Sequence, residues 1–378
     1  MAWTNLFVRG GELLLQRIFI TGSTGFLGWH LVKRLIRKSD NNLVLLAREA
    51  NALSAEERID TLLKRDYKGA EYHRVKGQIE VIKGDIAEDI LGLDKKNYHR
   101  LSREIDIIFH CAALCDFDIP WDRIRRINVG GTKNILDLAF LCNKGNGKFE
   151  GLHHISTVGV AGKKSGVFYE NDLDIGQEFN NTYEKSKFDA EKLVSSYRHK
   201  GVAITVYRPS AIVGNSVTGE ATNFQVIYQP LHILSQEIYE EIPAKPNVKF
   251  NLVPVDYAVE AIYLISSKKK DLNQTYHIVN TNEITFEAFI ETASKYFGFK
   301  KPGLIPIEEF NMENLQGFRR KLLAPYLPYF NRNELKYDAA NLNKSLKGSS
   351  FAWPVIDEKL LFRLFKFCKE AGYIVKKE

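Results

Sequence analysis

The chain has 378 residues, with 53 Lys+Arg against 46 Asp+Glu for a formal net charge of +7, and is 44 % apolar and 26 % charged. This composition excludes disordered, collagen-like and disulfide-scaffold chains, and the mild, evenly spread charge gives no argument for nucleic acid while suiting an anionic cofactor or substrate. The longest apolar runs reach about ten residues, half a membrane span, and residues 1–16 carry Arg9 and Glu12 without a small-residue cleavage site, so a cytoplasmic protein with neither transmembrane segment nor secretory signal is expected.

Short apolar runs alternate with amphipathic stretches, the pattern of βαβ units on a parallel sheet. Strands are expected at 17–21, 42–47, 79–82, 105–111, 151–156, 203–207 and 275–279. The run at 105–111 is almost wholly apolar and reads as central. Helices are expected at 26–37, where Leu27, Leu31, Leu35 and Ile36 share a face and Arg37 and Lys38 close the end, and at 54–65, 124–141, 183–198 and 255–266. Asp256 reads as an N-cap of the last. Residues 286–378 read as helical and aromatic-rich, interrupted by prolines. The four cysteines, at 111, 115, 142 and 368, lack a zinc-type spacing and read as buried free thiols, and no metal site is expected.

The segment Thr21-Gly-Ser-Thr-Gly-Phe-Leu-Gly28 follows the first strand and opens a helix. Gly22 permits the tight turn, Gly25 lets backbone approach a pyrophosphate, and Gly28 allows close helix packing, while the helix N-terminus offers free N–H groups to phosphate. Cofactor contacts are therefore expected from Gly22, Ser23, Thr24, Gly25, Phe26, Leu27 and Gly28, with Asp85 and Ile86 after the third strand and Ala112 and Ala113 after the fourth. An acid ending the second strand would bind a ribose 2′-hydroxyl; this chain has Arg48 there, which favours the 2′-phosphate of NADPH over NADH, with Glu49 as the competing ribose acid.

Tyr183 and Lys187 are four apart and share a helix face. An ammonium beside a phenol favours phenolate and lowers its pKa, making a usable proton donor and acceptor. Ser156-Thr157 ends the fifth strand, where a hydroxyl can face a carbonyl.

Together with Asn128-Val-Gly-Gly-Thr132 and Arg208-Pro-Ser-Ala-Ile-Val-Gly214, these motifs resemble the extended short-chain dehydrogenase/reductase superfamily over nearly the whole chain, from Arg17 to about Gly372. Gly25-Phe-Leu-Gly28, Arg48, Ile155-Ser-Thr-Val158, Val253-Pro-Val-Asp-Tyr-Ala258 and Tyr276-His-Ile-Val-Asn280 look most like its thioester reductase and fatty acyl-CoA reductase branch. His110-Cys111 departs from the family's usual Asn-Ala. The resemblance implies a Rossmann-like α/β fold, a doubly wound parallel sheet over 1–214 completed by about 252–282. A smaller, mainly helical substrate cap would comprise 215–251 and 283–378. It implies Tyr183 as general acid, Lys187 on the nicotinamide ribose and the tyrosine, Thr157 on the substrate oxygen, and further cofactor contacts from Pro209, Ala211 and Ile212. Asn128 would be structural. The implied activity is NADPH-dependent reduction of an acyl thioester, on CoA or a separate carrier protein, to aldehyde or alcohol. A sugar-nucleotide epimerase/dehydratase or hydroxysteroid-type dehydrogenase is the alternative on the same scaffold.

Two later segments carry a choice of readings. Residues 310–330 interleave Phe318, Leu322, Leu323, Tyr326, Leu327, Tyr329 and Phe330 with Arg319, Arg320 and Lys321, as an acyl groove with a phosphate-binding rim or as a core helix with a solvated face. The helix at 358–369 sets Leu360, Leu361, Leu364, Phe365 and Cys368 against basic residues, a face for packing on the cap or for a membrane surface.

Overall fold

Seven apolar runs pair into one sheet in the computed structural model: β1 (Arg17–Thr21), β2 (Asn42–Ala47), β3 (Ile79–Lys83), β4 (Ile107–His110), β5 (Gly151–Ile155), β6 (Ile204–Pro209) and β7 (Thr275–Ile278). Their spatial order is β7-β6-β5-β4-β1-β2-β3. The register sets Ile20 of β1 opposite Leu45 of β2 on one side and Phe109 of β4 on the other, all parallel. The structure describes residues 8–9, 12–13, 16–37, 41–222, 224–225 and 227–374. The expectation of no secretory signal in residues 1–16 falls mostly on residues outside these, and Lys38 lies outside them too.

β4 is buried along its length and lies between β1 and β5, as its unbroken apolar run requires when both faces are covered. The chain builds β1, β2 and β3 outward, then returns to the other side of β1 as β4. That reversal is the point at which parallel α/β sheets bind ligands, beyond the carboxyl ends of the strands.

The helices follow from capping and periodicity. α1 (Phe26–Arg37) buries Trp29, Leu31, Val32, Leu35 and Ile36. α2 (Ala55–Asp66) starts at a capping box in which Ser54 accepts from Glu57 N and the Glu57 carboxylate accepts from Ser54 N. α3 (Gly69–Gly77) and α4 (Lys95–Glu104) arise where no helix was expected. The expected helix at 124–141 is broken: Trp121–Ile124 and a π-helical segment, Arg125–Gly130, precede α5 (Gly131–Gly145). The Asn128 side chain occupies this irregular turn, accepting from Leu114 N at 2.8 Å and donating to Leu114 O and Ser186 Oγ. Asn128 is thus a structural clamp. α6 (Thr182–His199) carries the tyrosine and lysine.

α7 (Val255–Ser266) follows Pro254, and Asp256 does not cap it: its carboxylate accepts from Ser216 N and Oγ, at 2.9 and 2.6 Å. The region beyond is not purely helical. Glu241–Pro243 pairs with Gly303–Ile305, Gly166–Phe168 with Leu335–Tyr337, and Ala211–Val213 with Leu252–Pro254, all in parallel. α8 (Phe286–Phe297) and α9 (Glu358–Glu370) pack through Phe289, Tyr296, Phe297 and Phe365. The apolar face of α9, from Leu360 to Cys368, is therefore spent inside the protein rather than left for a membrane surface. Among the described residues no helix is long and apolar enough to cross a membrane.

Chain contacts divide the molecule into two units. One comprises the described residues up to Ala113 with Gly130–His154 and Val194–Ile204; the other comprises Leu114–Val129, Ile155–Leu193 and the residues from Thr205 on. Cys142 and Cys368 are buried free thiols, but Cys111 is half-buried and Cys115 exposed. Both stand past the end of β4, where sheet gives way to loop, so the expectation of four buried thiols fails there.

Candidate active site

The first unit holds the glycine loop. Gly22 has φ +70°, and a Cβ there would stand 2.6 Å from Ala112 N, so both the turn and the approach of the β4 exit demand glycine. A Cβ on Gly28 would stand 2.1 Å from Gly22 O, whereas one on Gly25 would meet only that same oxygen, at 3.2 Å. Gly25 is the position the protein's own packing leaves open. Gly25 N donates to Gly22 O at 2.9 Å, closing the turn that leads into α1. Ser23 is fully buried beside it, and its Oγ has no hydrogen-bond partner among the described residues. An orphaned hydroxyl and an open glycine at a helix N-terminus fit a pyrophosphate.

Arg48 reaches from the end of β2 to Asp85 at 3.3 Å. Glu49 is bound to Lys83 at 2.6 Å. The sequence reading missed Arg58: from α2 it donates to Arg48 O at 2.7 Å and to Thr24 Oγ1, in the glycine loop, at 3.0 Å. Burial and the Arg48 charge both pull its pKa down. Arg58 thus ties the glycine loop to the Arg48 backbone, and two guanidinium groups on this side favour an anion. Ile86 is buried and packs on Gly131, whose Cβ would be 2.6 Å from Ile86 Cδ1. Ala112 N donates to Thr21 Oγ1 at 3.3 Å, which ties the β4 exit to β1.

The second unit brings Thr157, Tyr183 and Lys187 together. Thr157 caps a short 3-10 turn, and its Oγ1 accepts from Gly159 N at 3.1 Å. With that oxygen engaged as an acceptor, the hydroxyl proton is left to donate, and the neighbouring Thr157 acts to lower the Tyr183 pKa. Lys187 is buried and donates to Ile155 O, at the end of β5, at 2.7 Å. Ser156 is committed elsewhere: buried, it donates to Glu191, which in turn holds the buried Arg208 through a 2.8 Å ion pair. Pro209, Ala211 and Ile212 follow at the end of β6 and the short strand beyond it.

The phenol's ionisation differs from the expectation. Burial first, then the neighbouring Cys115, push the Tyr183 pKa well above its ordinary value; the Thr157 hydrogen bond opposes this and Glu184 adds to it. A lysine-lowered phenol was expected, and the surroundings instead hold the proton on Tyr183.

In the 310–330 segment, Leu323, Tyr326 and Phe330 are buried, while Phe318 is 71 % exposed beside the exposed Arg319, Arg320 and Lys321. The solvated-face reading fits the helix Gly317–Leu323, and the aromatic residues after it face inward.

The family model described as "Male sterility protein", an NAD-binding model, matches residues 20–262. The chain is 30 % identical over 273 residues to a nonribosomal peptide synthetase of Aspergillus flavus, covering 70 % of this chain and 26 % of that protein. It is 27 % identical over 292 residues to a carboxylic acid reductase of Mycobacterium tuberculosis, covering 70 % of this chain and 24 % of that protein. It thus spans about a quarter of each relative's length. The terminal R domain of the myxalamid PKS-NRPS biosynthetic pathway superposes with a TM-score of 0.81 at 27 % identity, covering 96 % of this chain and 93 % of that one.

Proposed function

The chain belongs to the male sterility protein family of NAD-binding domains, on the extended short-chain dehydrogenase/reductase scaffold, and from that premise we propose that it is an NADPH-dependent reductase of acyl thioesters. The observation that carries the reaction type is the gathering at the end of β5 of Thr157, whose Oγ1 already accepts from Gly159 N, with Tyr183 and the buried Lys187 of one helix face. Likeness to a carboxylic acid reductase and to a terminal R domain supports the thioester, on CoA or on a separate carrier protein.

The reduced nicotinamide, when bound, supplies the hydride that converts the carbonyl to an alkoxide. Thr157 and Tyr183 donate hydrogen bonds to the oxygen as its charge develops, and Tyr183 gives up its proton. Lys187 fixes the end of β5 and places its ammonium beside the phenol and the cofactor ribose. The glycine loop from Gly22 to Gly28, with Ser23, Thr24, Phe26 and Leu27, holds the pyrophosphate. Asp85, Ile86, Ala112, Ala113, Pro209, Ala211 and Ile212 complete the cofactor contacts. NADPH is preferred to NADH because Arg48 and Arg58 meet a 2′-phosphate, and Glu49, the competing ribose acid, is engaged by Lys83. Residues 215–251 and 283–378 form the substrate cap. The hemithioacetal so formed loses its C–S bond, releasing the thiol of CoA or the carrier and leaving an aldehyde, which a second reduction converts to an alcohol.

The test is NADPH oxidation, followed at the nicotinamide absorbance, with acyl-CoAs, acyl-carrier proteins and nucleotide sugars. Net consumption with a thioester is expected. Turnover of a nucleotide sugar without net consumption would replace this reading with an epimerase.

A further inference from the structure

Three aromatic rings cluster near the proposed general acid, Phe117 from one segment and Tyr326 and Tyr329 from another. The Phe117 ring, on the loop after β4, lies 6.0 Å from the Tyr183 ring and stacks on Tyr329 at 5.3 Å with 24° between planes. Tyr326, three residues before Tyr329 in the same turn, lies 6.3 Å from Phe117. Tyr329 is not free to swing away: its hydroxyl accepts from Asn181 Nδ2 and donates to Glu184 Oε1, both at 2.7 Å. Glu184 is buried, and it also accepts from Asn180 N at 2.8 Å, so this anchor is built into the start of α6, next to Tyr183 itself. Phe117 and Tyr183 remain only partly buried. Rigid apolar surface is thus left partly open beside the group that delivers the proton.

We propose that Phe117, braced by Tyr329, is a specificity-determining residue, the wall on which an extended apolar acyl chain lies when its carbonyl meets Thr157 and Tyr183. This rests on the thioester-reductase reading and adds the class of acyl group. Removing water from such a wall favours apolar substituents, because the driving force scales with the apolar area covered. A wall pinned by two hydrogen bonds discriminates by shape without first paying to become ordered. The exposed Asp116 and Asp118 flank Phe117, and Asp118 N donates to Asp116 Oδ1 at 3.0 Å. These carboxylates define the opposing possibility, an ammonium-bearing acyl group.

The experiment compares Phe117→Ala, Phe117→Leu and Tyr329→Phe with the wild-type chain. kcat/KM is measured for octanoyl-CoA, acetyl-CoA, octanoyl-N-acetylcysteamine and ω-amino-octanoyl-CoA. Dissociation constants of the same compounds from the NADP⁺-saturated protein are read by calorimetry, and thermal melting checks the fold. The octanoyl-to-acetyl ratio should fall about tenfold or more in Phe117→Ala, the scale at which apolar pockets discriminate. It should fall less in Phe117→Leu, which keeps apolar volume. Tyr329→Phe should lower the same ratio although it retains the ring, because it removes only the anchor. A ratio unchanged within twofold in folded Phe117→Ala, a change that tracks CoA against N-acetylcysteamine instead of the acyl group, or a wild-type preference for the ω-amino chain would each overturn the inference. A wild-type chain that reduces no thioester fails the broader reading; the binding ratios then decide the role of Phe117 separately.

Discussion

Alanine placed at Gly25 and at Gly28 should separate cofactor binding from folding. At Gly28 the new methyl would lie 2.1 Å from Gly22 O and 2.8 Å from Gly22 C, atoms of the loop backbone rather than a side chain that can rotate away. Relief requires α1 and the loop to part by about 1 Å, an overpacking expected to cost about 1–3 kcal/mol. The same shift disturbs the Gly25 N to Gly22 O hydrogen bond that shapes the pyrophosphate site. At Gly25 the methyl meets Gly22 O at 3.2 Å, and the φ there is one that alanine adopts, so a shift of a few tenths of an ångström suffices. The reduced freedom of the unfolded chain returns about 0.4–1 kcal/mol, so Gly25→Ala should melt close to wild type. Its methyl nevertheless occupies the space in which the pyrophosphate approaches backbone, and NADPH should bind at least about tenfold more weakly, a loss of about 1.4 kcal/mol. Thermal melting without cofactor and titration of NADPH fluorescence measure the two quantities. Wild-type NADPH affinity in Gly25→Ala, or wild-type melting in Gly28→Ala, would refute the assignment of the loop.

Arg48→Ala and Arg58→Ala should each weaken NADPH far more than NADH in parallel titrations, since only NADPH carries the 2′-phosphate; equal losses would remove both residues from phosphate recognition. Tyr183→Phe should keep NADPH affinity while cutting steady-state turnover by about 10²–10⁴-fold, the usual contribution of a positioned acid, whereas Lys187→Ala should damage both. Thr157→Val should lower turnover more than Ser156→Ala, whose main effect should appear in thermal melting because Ser156 is bonded to the buried Glu191. Burial, with Lys33 adding, pulls the His30 pKa from 6.5 down to about 4. The unfolded chain then binds the extra proton between those values, so this stabilisation is present above pH 6.5 and is lost as pH falls toward 4, by about 3 kcal/mol. His30→Leu should flatten that part of a urea-denaturation pH profile, and an unchanged slope would exclude His30 as its source.

Local patterns carried the fold and those parts of the candidate site that lie within one element. The bounds of β1, β2, α1 and α7 match their periodicity because each is an apolar stripe whose length and spacing are readable in place. The turn-forming glycines and the Tyr183/Lys187 face are likewise local. What escaped depends on distance. Arg58 is a charged residue on a charged helix until α2 carries it to Thr24, 34 positions away. Tyr329 reads as one aromatic among several until it reaches Glu184 across 145 positions. The π-helical turn at 125–130 was invisible because apolar periodicity continues through it; Asn128 and the adjoining glycines were its signal. Asp256 failed as a cap because Pro254 already sets the start of the helix, and Ser216 claims the carboxylate.

The phenol gives the reason the site suits reduction. A reductase must deliver a proton to an oxygen that becomes negative, so its acid must hold that proton until the charge develops. A lysine placed to drive the phenol toward phenolate would work against this in the resting protein. Here the Lys187 amino group donates to Ile155 O, and burial together with Cys115 pushes the Tyr183 pKa up. Ile155 is the last residue of β5, and Thr157 stands two residues beyond it, so the lysine four residues after Tyr183 on α6 also fixes the strand end from which Thr157 projects. In the proposed mechanism, as charge develops on the substrate oxygen the departing proton leaves a phenolate on the helix face that also carries the buried Lys187, which would stabilise the product of transfer. In that mechanism Lys187 would assist proton donation as the charge forms, and Thr157, its oxygen already engaged by Gly159 N, would have its own proton left to donate to the same oxygen.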